Sequence, residues 1–124
     1  MTTEYWVWLQ LVLGYACDTV HKVVTEYGDA RSFYYADDEE KIKRCQLSKK
    51  QADRLHKISR RTVYRILKDC NENGIRIITP LSEEYPERLW AIADPPCVLY
   101  VKGQKLKLNK VPTIAVVGPR KVSV

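Results

Sequence analysis

Residues 112–124 read PTIAVVGPRKVSV. Thr113 to Val117 is a short run of β-branched and apolar residues, the pattern of a strand buried on both faces. Gly118 and Pro119 stop it, and Arg120, Lys121 and Ser123 follow at once. A buried strand that runs into such a glycine turn has the form of a phosphate-gripping turn in a nucleotide-type α/β fold. Arg120 would supply a forked, permanently charged donor, Lys121 a point charge and Ser123 a hydroxyl. By itself the local pattern is common, and a surface turn with two ordinary basic residues accounts for it equally well.

Two more β-type runs lie upstream. IRIIT (75–79) is ended by Pro80, and Cys97–Val101 is closed by Gly103. Between them, Tyr85-Pro86 opens a short helix through Leu89, Trp90 and Ile92, with Pro86 as its first residue. Asp94-Pro95-Pro96 forbids helix and forces an extended or turn geometry. Glu83, Glu84 and Glu87 are expected to face solvent, so no carboxylate pair for acid–base chemistry is assigned. Residues 104–110, QKLKLNK, form a basic connection to the third strand.

Before Ile75 the pattern is helical throughout. EYWVWLQLVL (4–13) is apolar nearly all round, which predicts a buried helix closed by Gly14. Asp18 is placed to cap the next helix, whose stripe is Val20, Val23, Val24 and Tyr27, with Gly28 as its stop. Asp29 caps a short turn through ARSFYYA. The acids of DDEE (37–40) suit the first turn of a further helix that points Ile42 and Cys45 inward. Ser48 and Gln51 have capping-box spacing, ahead of a buried side of Ala52, Leu55 and Ile58. Thr62 is expected to cap a last helix with the stripe Val63, Ile66, Leu67 and Cys70, ended by Asn73-Gly74. Residues 1–74 therefore read as one all-helical domain and residues 75–124 as the start of an α/β domain.

The 124 residues are 45% hydrophobic and 29% charged, with a formal net charge of +6, the composition of a globular chain rather than a disordered one. From Lys41 to Lys68 the basic residues are Lys41, Lys43, Arg44, Lys49, Lys50, Arg54, Lys57, Arg60, Arg61, Arg65 and Lys68, against the single acid Asp53. Such a run is either a solvated helical surface or a face for phosphates. Cys17, Cys45, Cys70 and Cys97 are widely separated, and neither His21 nor His56 stands beside a cysteine in sequence, so no metal-ligand spacing arises. Reduced cytosolic thiols, and hence a cytoplasmic setting, are the simplest account. Tyr5–Leu13 is too short to span a bilayer and no basic residue precedes it, so neither a membrane anchor nor a signal peptide is expected.

The two helices from Tyr5 to Gly28 have the order of a helix-hairpin-helix, which offers turn amides to DNA phosphates. Their turn, LGYACDTV, has Tyr15, Ala16 and Cys17 where a second glycine would help the approach, so packing is the better account. Trp6 and Trp8 could stack on bases, yet two tryptophans in an apolar helix belong more naturally to a core.

Taken in order, GIRIIT, YPERL, DPPCVLYVKG and IAVVGPRKVS resemble the DprA, or Smf, family of DNA-processing proteins. The last three in this order and spacing are specific. The helical residues 1–74 resemble that family's sterile-alpha-motif-like (SAM-like) or helix-hairpin-helix N-terminal region less closely. The resemblance implies an α+β chain in which a helical domain leads into the first strands of a Rossmann-like domain. It implies single-stranded-DNA binding in DNA uptake and natural transformation (competence), with RecA-mediated recombination and RecA as a partner, and self-association through surfaces that lie further along the family's chain. The family turn Gly-(Ser/Thr/Pro)-Arg-x-x-Ser matches Gly118, Pro119, Arg120 and Ser123, which would place Arg120 on a DNA phosphate, with Lys121 beside it. The family turn continues into Tyr-Gly and a long α/β domain, so the chain is expected to begin that domain without completing it, with 75–124 less stable than 1–74. No metal, cofactor or nucleotide hydrolysis is expected, and no nucleophile–base pair or Walker-type loop is present, so the chain is read as no enzyme. The alternatives are a protein-interaction helical module without DNA binding of its own, and a fragment of a Rossmann-like nucleotide-processing enzyme.

Overall fold

The computed structural model describes residues 2–15, 17–105 and 109–110, and everything in it is arranged around the first helix. In α1 (Thr3–Leu13), Trp6, Val7, Leu9 and Val12 are almost completely buried, on different sides of the helix. A helix without a polar side has no orientation in which one face can be left to water. Each Å² left exposed would cost about 25 cal/mol. The rest of the chain accordingly covers it. Packed on α1 are α3 (Ala30–Tyr35), α5 (Lys49–Lys57) and α6 (Arg60–Glu72). Behind them α2 (Thr19–Tyr27) packs on α3 and on α4 (Asp38–Cys45).

Helix ends follow the local sequence. Gly14 (φ 101°) and Gly28 (φ 85°) end α1 and α2 in backbone conformations that side-chain-bearing residues rarely adopt. Ser48 and Gln51 form the expected capping box, each side chain bonding the other's backbone amide. Val20 and Val23 are buried as the α2 stripe requires.

Five local expectations are corrected. Asp18 stands at the α2 N-cap, but its backbone is already helical and its side chain accepts no capping bond. ARSFYYA is not a turn; it folds as the six-residue helix α3, capped by the Asp29 side chain, which accepts from the Ser32 amide. Ser59, not Thr62, caps α6. Ser59 sits in extended backbone and accepts from the Thr62 amide at 3.2 Å, so the helix begins earlier than expected. Pro86 is the N-cap of α7 (Glu87–Trp90) rather than its first helical residue. In α4, Cys45 is buried but Ile42 is 37% exposed, and Lys41 takes the inner position at 3%.

The Lys41 exchange has a clear cause. Its ammonium donates to the Tyr34 carbonyl at 3.0 Å and pairs with Asp38 at 3.2 Å. It also lies 5.3 Å from the Phe33 ring centre and 5.6 Å from that of Trp8. A buried charge is tolerable when it is paired and hydrogen-bonded in this way. Asp38 in turn touches His56 at 2.6 Å. Partial burial works against the Asp38 carboxylate, but Lys41 and His56 outweigh it and hold the group below its ordinary range.

After α6, β1 (Ile75–Ile78) and β2 (Leu99–Lys102) pair antiparallel, with Ile75 opposite Lys102 and Ile78 opposite Leu99. The described residues thus form an α+β arrangement, mostly helical, with a small two-stranded sheet. The strand expected at 113–117 lies outside the described residues. Cys97 and Val98, expected inside a strand, lead into β2 and are buried in the core shared with α1. The helical part and residues 75–105 are in contact at several points. Tyr100 Oη donates to Gln10 Oε1 at 2.8 Å, and His21 Nε2 donates to the Ile92 carbonyl at 2.8 Å. The His21 ring also packs on Trp90, 4.3 Å between centres.

The connection between the strands is closed by side chains of its own. Tyr85 is 3% exposed and its hydroxyl donates to the Pro96 carbonyl at 2.8 Å. Burial pushes its phenol up to about 12, so it stays a neutral donor. Glu84, expected to face solvent, is largely covered and pairs with Arg76 and, at 3.7 Å, with Lys105. Among the described residues no helix is long and apolar enough to cross a membrane.

Two stability measurements test these contacts. Lys41→Met should cost about 2 kcal/mol in urea unfolding at neutral pH, because Asp38 and the Tyr34 carbonyl lose their partner. Because the folded Asp38 has a depressed pKa, its contribution is present above its unfolded value and lost as pH falls below about 4. That acid-side loss should shrink in Lys41→Met. Tyr85→Phe should cost about 1–2 kcal/mol by leaving the Pro96 carbonyl without its donor. An unchanged urea midpoint would show that the bond to Pro96 does not hold the connection.

Candidate nucleic-acid interface

The residues Gly118, Arg120, Lys121 and Ser123 lie outside the described residues, as does the stretch 113–117 expected to lead to them as a strand. The described chain reaches towards that segment as far as Asn109 and Lys110. Asn109 is anchored on the YPERL segment: its Oδ1 accepts from the Glu87 amide at 2.7 Å. Its Nδ2 donates to the carbonyls of Tyr85 and Glu83 at 3.3 and 3.4 Å. Sequence reasoning did not single out Asn109, because one asparagine in a basic loop gives no signal of three backbone partners far upstream.

The basic run from Lys41 to Lys68 divides into absorbed and free charges. Lys41 is buried as described. Arg54 is half-buried and donates to the Val12 carbonyl at 3.3 Å, satisfying an end group of α1. Gln51 Nε2 does the same for the Leu13 carbonyl at 3.2 Å and also touches Cys17 Sγ. The α1–α2 turn is therefore packed by α5 on its inner side, as the packing account of that hairpin requires. Trp6 and Trp8 are buried at 1% and 5%, which leaves neither ring open for stacking on a base.

Lys43 and Arg44 on α4, Lys49, Lys50 and Lys57 on α5, and Arg60, Arg61, Arg65 and Lys68 on α6 stay exposed. Arg61, Arg65 and Lys68 follow one another at i, i+4 and i+7, so they form one stripe along α6. Arg60 lies over the Tyr34 ring at 6.0 Å. Tyr64 beside it is 68% exposed. Arg60 and Tyr64 also rim a groove of about 290 Å³ between α1 and α6, floored by Tyr5, Trp8 and Tyr34. Its aromatic floor is internally matched: Tyr5 and Tyr35 share a hydroxyl hydrogen bond of 3.0 Å, and Trp8 meets Tyr34 edge-on at 4.9 Å.

The cysteines contribute no reactive group to this surface. Burial pushes Cys97 up to about 12 and Cys45 up to about 11, so both are neutral thiols at ordinary pH. Chemically, the described surface offers fixed positive charge, the exposed phenols of Tyr35 and Tyr64 and hydrogen-bond donors, which suits binding of an anionic polymer.

The comparisons with known proteins fall on the other end of the chain. Residues 76–124 match a family model described as DNA recombination-mediator protein A. The DNA processing protein DprA of Bacillus subtilis (strain 168) is 43% identical over 56 residues, which is 45% of this chain and 19% of that protein. The aligned stretch thus spans less than a fifth of that relative's length. No solved structure matches the chain. YPERL, DPPCVLYVKG and IAVVGPRKVS all lie within the matched residues. Over residues 76–124, therefore, this chain is similar to the DNA recombination-mediator protein A family, the DprA family that its motifs resemble.

Proposed function

We propose that the chain is part of a DprA-type recombination mediator that holds single-stranded DNA through the turn at 118–123. The observation that carries this reading is the family match, which includes the turn itself. Strand 113–117 would aim the turn's amides outward. Arg120 would grip a phosphate with two parallel donors, and Lys121 and Ser123 would add a charge and a hydroxyl. Gly118 allows the backbone to come close. Contacts of this kind carry no sequence information and weaken steeply with salt. In this reading residues 1–74 are a SAM-like or helix-hairpin-helix domain, and 75–124 open a Rossmann-like α/β domain. RecA, a second copy of the protein and a cytoplasmic role in DNA uptake follow from the same kinship, and no catalytic step is assigned.

Binding of labelled oligo-dT at two salt concentrations tests the turn. Arg120→Ala should weaken binding about fivefold or more at low salt and reduce the salt slope by about 0.7, the share of one phosphate contact on a single strand. Equal affinity in the variant would remove the turn from the DNA contact. If the unaltered chain fails to bind oligo-dT at low salt, the helical residues are better read as a protein-docking module.

A further inference from the structure

The α5–α6 pair has a layout that the family match does not cover. Helix α5 ends at Lys57, two extended residues follow (Ile58 φ −83°, ψ 108°; Ser59 φ −82°, ψ 154°), and α6 starts at Arg60. Both helices turn their apolar sides inward, Leu55 from α5 and Val63 and Cys70 from α6, and both pack on α1. The outer side of α6 is left without a partner among the described residues. A short helix, a tight capped turn and a longer helix with a free outer face have the order of a helix-turn-helix, with α1 packed behind both helices. We propose that α5–α6 docks on duplex DNA, with α6 in the major groove and Lys49 and Lys50 of α5 on a flanking phosphate backbone.

Charge and shape both favour this occupant. In such motifs the N-terminal residues of the second helix meet the base edges, and the first helix crosses the backbone. The N-terminal half of α6 carries Arg60, Arg61, Tyr64 and Arg65 and no acid. Its acids, Asp69 and Glu72, come only near the far end, where Glu72 meets Lys68 at 4.0 Å. Among the described residues no acid pairs with Arg61 or Arg65, so both forks are free for phosphates or for guanine edges. The 13 residues of α6 form a rod about 20 Å long and about 10–12 Å across, which a major groove about 12 Å wide accepts. A single strand would find less here, because it needs successive open aromatic faces. Trp6, Trp8 and Phe33 are buried, which leaves Tyr64 as the exposed ring on this helix.

The test is anisotropy titration of the 124-residue chain with a mixed-sequence duplex of about 20 base pairs and with oligo-dT of equal length. The chain should bind the duplex at low salt. Arg61→Ala combined with Arg65→Ala should lower duplex affinity about tenfold or more and reduce the salt slope by about 2. The same variant should change oligo-dT binding by less than about threefold, if binding there rests on the 118–123 turn. Both positions are exposed, so its thermal unfolding should match that of the unaltered chain. Should it melt earlier, Lys49→Ala combined with Lys50→Ala serves instead, with a several-fold loss expected on the duplex alone. Absence of duplex binding at low salt, or an equal loss for duplex and oligo-dT, would overturn the proposal. Arg120→Ala is expected to act on oligo-dT and spare the duplex, so the two readings fail separately.

Discussion

The rest of the structure depends on the need to hide α1 on every side. Its single buried polar side chain in the interior stretch, Gln10, shows how complete that requirement is. Gln10 points at the sheet, and Tyr100 of β2 supplies its hydrogen bond at 2.8 Å. Burial raises the Tyr100 phenol to about 12, which keeps the donor neutral. The helix end makes the same demand. Val12 and Leu13 carry carbonyls with no partner inside α1, and Arg54 and Gln51 of α5 provide the donors. The first helix thus recruits both the middle of the chain and its second strand. That is why residues 75–105 lie against the helical part although the sequence changes character at Ile75.

The same demand sorts the charges. Where a cationic side chain faces the core it has been given fixed partners, as Lys41 has Asp38, the Tyr34 carbonyl and two aromatic faces. Where it faces outward it has few. Helices α5 and α6 need only a narrow apolar stripe, because α5 covers one side of α1, and α6 covers another side of α1 and borders β1. Their remaining circumference is free to be polar. A merely solvated surface would be expected to mix signs for solubility. The near absence of acids from the first two turns of α6 departs from that, and the departure motivates treating this helix as a binding element.

Much of the helical architecture was legible from local chemistry. Glycine stops, the Ser48–Gln51 box and the Val20–Val23 stripe are each decided within a few residues of sequence, and they came out as read. The failures have a common origin in longer range. Choosing Lys41 over Ile42 for the interior requires knowing that Trp8, Phe33 and Tyr34 converge there. Glu84 looked solvated because Arg76 and Lys105 come from either side of it in sequence. Ser59 and Thr62 are both good cap residues three apart, and only the extended backbone at Ser59 decides between them. The basic run from Lys41 to Lys68 was legible as charge, whereas which of its side chains are free was not. A basic run becomes a binding face only once the other side of its helices is known to be covered.

The most distinctive stretch of sequence turns out to owe its composition to geometry. Tyr85 is needed as a buried ring with a donor, because the Pro96 carbonyl beneath it has no other partner among the described residues. Pro86 supplies an extended N-cap for a helix of four residues, too short to order itself. Pro95 is fully buried and Pro96 has no amide to satisfy, so the chain can cross the core's edge without a strand partner. Asn109 then fastens the following segment to the same block through three backbone groups. None of these side chains is suited to hold a phosphate. Their combined effect is to tie residues 83–96 and Asn109 into one block. These motif residues therefore owe their identity to holding one another in place.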